Sequence, residues 1–88
     1  MHAIVYRGWS GCLRWGYTEA ASLGAWTLSA DASGSGQLTA TIRTVDHFRV
    51  TQSPLVFVAP RPAGEWRWPV ESLTIQGSDV TATLGLPL

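Results

Sequence analysis

Apolar and polar positions alternate along this chain in short runs, the period-two pattern of half-buried β-strands, and glycines, prolines and small polar residues separate the runs. The first run, Ala3 to Trp9, contains Ile4, Val5 and Tyr6 and stops at Gly8-Trp9-Ser10-Gly11. A second, Cys12 to Tyr17, sets Leu13, Trp15 and Tyr17 at period two. From Ala25 to Ala30, Trp26 and Leu28 share one face while Thr27 and Ser29 share the other. The polar tract Asp31 to Gly36 then closes a hairpin. Beyond it Leu38, Ala40, Ile42, Phe48 and Val50 line one face of a segment from Gln37 to Thr51. Kept continuous, that strand would put the Asp46 carboxylate on the core side, where it needs a partner, so the pattern favours a bulge or turn at Asp46-His47.

Gln52-Ser53-Pro54 reads as a turn, and Leu55 to Val58 as a strand buried on both faces. Pro60 to Gly64 reads as a stiff exposed loop. Trp66-Arg67-Trp68 resumes an extended run that Pro69 marks as an edge or a strand end. Leu73 to Ile75, Gln76 to Asp79 and Val80 to Leu84 form the clearest hairpin, with Leu73, Ile75, Val80, Ala82 and Leu84 as its apolar face. Only Thr18 to Gly24 favours helix: Thr18 suits an N-cap, Glu19 an acidic first turn and Gly24 a stop, with room for one or two turns at 18–23. The pattern predicts a single β domain over residues 1–88. It is a small sandwich or partly open barrel of about six to eight short antiparallel strands with at most that one helical turn.

Length and composition narrow the functional classes. A chain of 88 residues folds around one core and has a thin stability margin. Its six basic and six acidic residues cancel, which removes the electrostatic footprint of a nucleic-acid or anionic-membrane binder. Only 14% of residues are charged, against about a quarter in typical domains, and weakly charged neutral surfaces tend to associate. The single cysteine, Cys12, excludes an internal disulfide and Cys-pair zinc sites and reads as a small buried side chain. No apolar run has the form of a signal peptide or the length of a membrane span, so the expected location is cytoplasmic or virion-associated. All six basic residues are Arg, and Lys and Asn are both absent; AT-rich codons for both make a GC-rich genome the simplest explanation. The missing Asn excludes N-glycosylation.

Catalytic patterns fail one by one. Gly8-Trp9-Ser10-Gly11-Cys12 comes within one residue of a nucleophile elbow, but it lacks the closing glycine and the strand-to-helix turn of a large α/β sheet. Asp46 and His47 are neighbours that would point to opposite faces of a strand, and in a turn Asp46 serves as a backbone acceptor. His2 and His47 have no partners at metal-ligand spacing. The remaining carboxylates sit in or beside turns. The residues therefore point to no enzyme, no cofactor and no metal.

Tryptophan exceeds expectation, with five residues at Trp9, Trp15, Trp26, Trp66 and Trp68. In an extended segment Trp66 and Trp68 project from one face, with Arg67 opposite, as an aromatic platform about 7 Å long. Such a platform suits a protein partner or a sugar ring; the competing reading is that the indoles fill a small core. Trp9 and Trp15 interleave with Arg7 and Arg14, which suits cation–π pairs on a surface. The combined expectation is a non-catalytic interaction or assembly subunit. It contacts protein, either itself or another subunit, through Trp66, Arg67, Trp68, Arg14, Trp15 and Trp9, and a phage virion or tail component is one concrete form. The alternatives are a carbohydrate-binding module built on Trp66 and Trp68, and a small inhibitor or regulator of a host complex.

Overall fold

A computed structural model describes residues 4–31, 35–52 and 54–88. Ala3, Ser53 and the centre of the Asp31–Gly36 turn lie outside the described residues. The strands are β1 (Ile4–Gly8), β2 (Cys12–Trp15), β3 (Thr18–Ala30), β4 (Gly36–Val45), β5 (Leu55–Arg61), β6 (Gly64–Gln76) and β7 (Asp79–Leu84), with one helical turn, α1 (His47–Val50), between β4 and β5. The all-β architecture expected from the alternation is therefore present.

Every pairing is antiparallel, and the order β3-β2-β5-β6-β7-β4 closes on itself through β3–β4. Two three-stranded meanders, β2-β3-β4 and β5-β6-β7, are thus zipped along the seams β2–β5 and β4–β7 into a six-stranded barrel. Closure removes most of the exposed sheet edge that a small open sheet would leave. The seventh strand, β1, stands outside the barrel and pairs with β3 over Ile4↔Ala30 to Gly8↔Trp26. β2 takes the other half of the same side of β3, Cys12↔Ser22 to Trp15↔Thr18. β1 and β2 behave as one long strand interrupted at Trp9-Ser10-Gly11, where Ser10 has φ 66°. The ladder crosses this break through Ser10 N–H to the Gly24 carbonyl at 3.2 Å and Leu23 N–H to the Gly11 carbonyl at 2.8 Å.

The interior is filled by side chains, as a small barrel requires. Leu13, Leu23, Leu28, Leu38, Phe57 and Leu84 are fully buried, and Trp26 and Trp68 nearly so. Irregularities in β3 between Ser22 and Trp26 switch the inward-facing set from Ala21 and Leu23 to Trp26 and Leu28. A second register shift between Val70 and Ser72 does the same in β6, where Leu73 and Ile75 then pack against the core. Such bulges let long strands bend around a narrow barrel.

Four local expectations change. Residues 18–23 are strand, because Ala20, Ala21 and Leu23 are buried between β2 and β4 and pairing on both edges overrides a helix-favouring local sequence. The helical turn forms instead at His47–Val50, capped by Asp46, whose carboxylate accepts from Phe48 N–H at 3.0 Å and Arg49 N–H at 3.2 Å. That cap is the break anticipated at Asp46-His47. It removes Phe48 from the core face and leaves it 72% exposed. Pro60 and Arg61 belong to β5, which turns directly into β6 at Gly64. Pro69 lies inside β6 and does not end it; it stands opposite Val56 of β5 and one residue beyond the β7 ladder, which begins at Val70↔Leu84. A proline is tolerated there because the β6–β7 register shift follows at once, and its carbonyl still accepts from Gly85 N–H at 2.8 Å. The final hairpin forms as expected, with register Gln76↔Asp79 to Leu73↔Ala82, closed by Gly77 at φ 63°.

Gly8 marks the tightest approach between β1 and the core. A Cβ at this position would lie 2.7 Å from Trp26 Cε2, so either the indole or the strand must move. Gly8→Ala is expected to destabilise the fold by about 1–3 kcal/mol, as other overpacking substitutions do, which a shift in the denaturant midpoint at unchanged slope would report.

Candidate functional site

The six residues singled out from the sequence divide between the two surfaces of the sheet. Trp66 and Trp68 do share a face, but it is the inner one. Trp68 is 4% exposed and stacks on Phe57 with ring centroids 5.7 Å apart at 27°. Trp66 meets Trp68 edge-on at 5.7 Å and Tyr6 edge-on at 4.9 Å. A platform for a sugar ring or a protein partner needs open indole faces, so this pair forms no such platform. The cause is the curl of the barrel, which turns this face of β6 toward Phe57 of β5 and Tyr6 of β1. Trp26 extends the aromatic contacts, packing edge-on against Phe57 at 5.3 Å.

Arg67 and Arg14 project from the outer surface, and Glu65 joins them. Arg14 meets both Glu65 carboxylate oxygens at 3.3 Å, and Arg67 donates to Oε2 at 3.2 Å. These side chains are substantially solvated, so the cluster adds little to stability. The Arg67 hydrogen bond, followed by the charge of Arg14, still holds the Glu65 carboxyl below its ordinary value. Behind Arg14 the Cys12 thiol is pushed up chiefly by burial, with the Arg14 guanidinium opposing that shift. Cys12 is buried and free, as its surroundings in the sequence suggested. Cys12, Arg14, Glu19, Ser22, Arg43 and Glu65 line an outer cleft of about 320 Å³. Its two arginines and two carboxylates balance, and among the described residues no three metal-ligating side chains cluster.

Comparison with protein-family models, with curated proteins and with solved structures found no match to this chain. The functional reading therefore rests on the geometry of its own surface.

That surface is unusually apolar at positions that no core requirement explains. Trp9 is 75% exposed, Trp15 39% and Tyr17 104%. Trp15, Tyr17, Thr18 and Pro54 line a shallow groove of about 480 Å³ beside the β2–β3 turn. Phe48 is exposed on α1, which packs against β2 and β3. The alternation of Leu13, Trp15 and Tyr17 suggested one strand face, but Trp15 pairs with Thr18, so Gly16 and Tyr17 form the turn and Tyr17 points to solvent. A glycine immediately before it, at φ 62°, was the available signal. The interleaved Arg–Trp pairs do not form as cation–π contacts among the described residues: Arg14 is engaged by Glu65, and it is Arg61 that lies over an indole, 5.7 Å from the Trp66 ring. No helix among the described residues is long and apolar enough to cross a membrane.

Two outcomes follow. Trp68→Ala removes a stacked, buried indole and is expected to cost about 3–5 kcal/mol, unfolding most of so small a domain, while Trp9→Ala leaves the thermal midpoint nearly unchanged; circular dichroism melts distinguish them. For Glu65, a lowered folded pKa means that its contribution is present above the unfolded value near 4.5 and lost as pH falls through the lower folded one. Glu65→Gln should therefore slightly reduce the decline in melting temperature below about pH 5 without altering stability trends at higher pH.

Proposed function

We infer that this chain is a non-catalytic subunit that works by protein–protein contact, associating with itself or with another component of a larger assembly. The observation that carries the reading is the exposure of eight large apolar side chains among the described residues, Ile4, Val5, Trp9, Trp15, Tyr17, Phe48, Leu86 and Leu88. Scattered apolar residues are ordinary on a monomer. Here Trp15 and Tyr17 fall together with Pro54 in one groove, while Ile4 and Val5, successive on β1, are exposed on its two opposite faces. Contiguous apolar surface marks contact sites.

Charge supports the same reading. Twelve charged side chains with no net charge give little colloidal repulsion between copies or toward a neutral partner. The charged cleft around Cys12 offers a weaker basis for chemistry. Its thiol is shifted toward the neutral form, whereas a nucleophilic cysteine needs its pKa lowered by a neighbouring base or cation. Trp15 and Tyr17, rather than Trp66 and Trp68, carry the aromatic contact surface in this reading.

The test is the size of the native particle. An affinity-tagged chain, extracted without denaturant from cells that make it, is expected to migrate in a complex well above 9.5 kDa with a reproducible partner stoichiometry. Migration as a 9.5 kDa monomer, both in that extract and after purification, overturns the reading.

A further inference from the structure

Among the described residues, β1 is paired along one side alone, that of β3, so the other edge of Ile4–Gly8 presents unpaired backbone donors and acceptors. Sheet edges of this kind are usually blunted by proline, by charge or by a covering element. The chain does so elsewhere. Where β5 runs past its pairing with β2, it carries Pro60 and Arg61. β1 carries no proline, and its Ile4 and Val5 side chains are 54% and 51% exposed. Its one charge is Arg7.

We propose that the open edge of β1 is the docking surface for a second copy of this chain, joined by antiparallel pairing of β1 with β1 about a two-fold axis perpendicular to the sheet. This rests on the protein-contact reading above and names the partner. The symmetry restricts the register. A two-fold axis perpendicular to the sheet keeps each residue on its own face, so only residues of the same parity can stand opposite one another. Three registers then overlap appreciably. Centred on Arg7, the pairing sets guanidinium against guanidinium, and like charges directly opposite are destabilising. Centred on Val5, it engages only Ile4, Val5 and Tyr6 from each copy. Centred on Tyr6, it engages the whole strand: Ile4 faces Gly8 of the second copy, and Val5 faces Arg7.

This last register has no like-charge conflict and lays the methylenes of Arg7 over the exposed Val5 of the other copy. The chain's zero net charge removes overall repulsion between the two molecules. The result is a sheet continuous from β4 and β3 of one copy through both β1 strands into the other.

The register makes charge at position 5 diagnostic, because an exposed Val5 side chain can be replaced without disturbing the core. Light scattering coupled to size exclusion, over a wide concentration range, should show the chain approaching about 19 kDa, twice its 9.5 kDa mass. Val5→Lys sets a cation opposite Arg7 and should weaken association by on the order of tenfold, whereas Val5→Glu sets a carboxylate there and should hold or tighten it. Circular dichroism confirms that both variants fold. A strict monomer at millimolar concentration overturns the proposal, as does association that responds equally to both substitutions or to neither. Self-association insensitive to Val5 leaves the protein-contact reading intact and removes only this surface. A monomer that also stays monomeric in native extract removes both.

Discussion

The aromatic contacts that cross the barrel hold this structure together. Trp26 of β3, Phe57 of β5, Trp68 and Trp66 of β6 and Tyr6 of β1 touch in sequence, with ring centroids between 4.9 and 5.7 Å apart. They link strands from both meanders and tie the outer strand β1 to the barrel. A domain of 88 residues without a disulfide or a helical layer has few ways to fill a closed barrel, and large rings fill it with the fewest side chains. The arrangement has a cost at Trp26, whose indole N–H finds no hydrogen-bond partner among the described residues. It also requires glycine at position 8, where any Cβ would press on the Trp26 ring.

Filling the interior with indoles decides what remains for the surface. Once Trp66 and Trp68 are inside, the aromatic groups available for contact are those at turns and breaks: Trp9 at the interruption between β1 and β2, Tyr17 in the β2–β3 turn and Phe48 on α1. None of these positions is demanded by the core. Weak charge and apolar side chains at the turns support the protein-contact reading, and the open edge of β1 adds backbone hydrogen-bonding capacity to the same argument.

Much of the architecture was legible from the residues. Alternation in 25–30, 37–42 and 80–84 predicted strands with the inward faces they have, because a period of two is a direct consequence of strand geometry. The Gln76–Asp79 hairpin turn was readable from Gly77, and a break at Asp46-His47 from the cost of burying a carboxylate, though not the helical turn that Asp46 caps. The misread elements share a cause. Residues 18–23 carry helix-favouring signals, yet they form strand because β2 and β4 pair with them on either side. Pro69 suggests an edge or a strand end; it does lie just beyond the β7 ladder, but β6 continues through it on its pairing with β5 and then β7.

The candidate site was legible only in its parts. Arg14 and Arg67 were identified, but Glu65, which joins them across 51 residues of separation from Arg14, has no local signal. Alternation and composition by themselves determined the class: an all-β chain too small for two cores, neutral, with one cysteine and more indole than a surface needs. Only the tertiary structure decided which indoles are core and which are exposed, since strand periodicity says that Trp66 and Trp68 share a face without saying which side of the sheet that face is on. Closure of the barrel settled that question, because the β2–β5 and β4–β7 seams are long-range pairings encoded in no single segment.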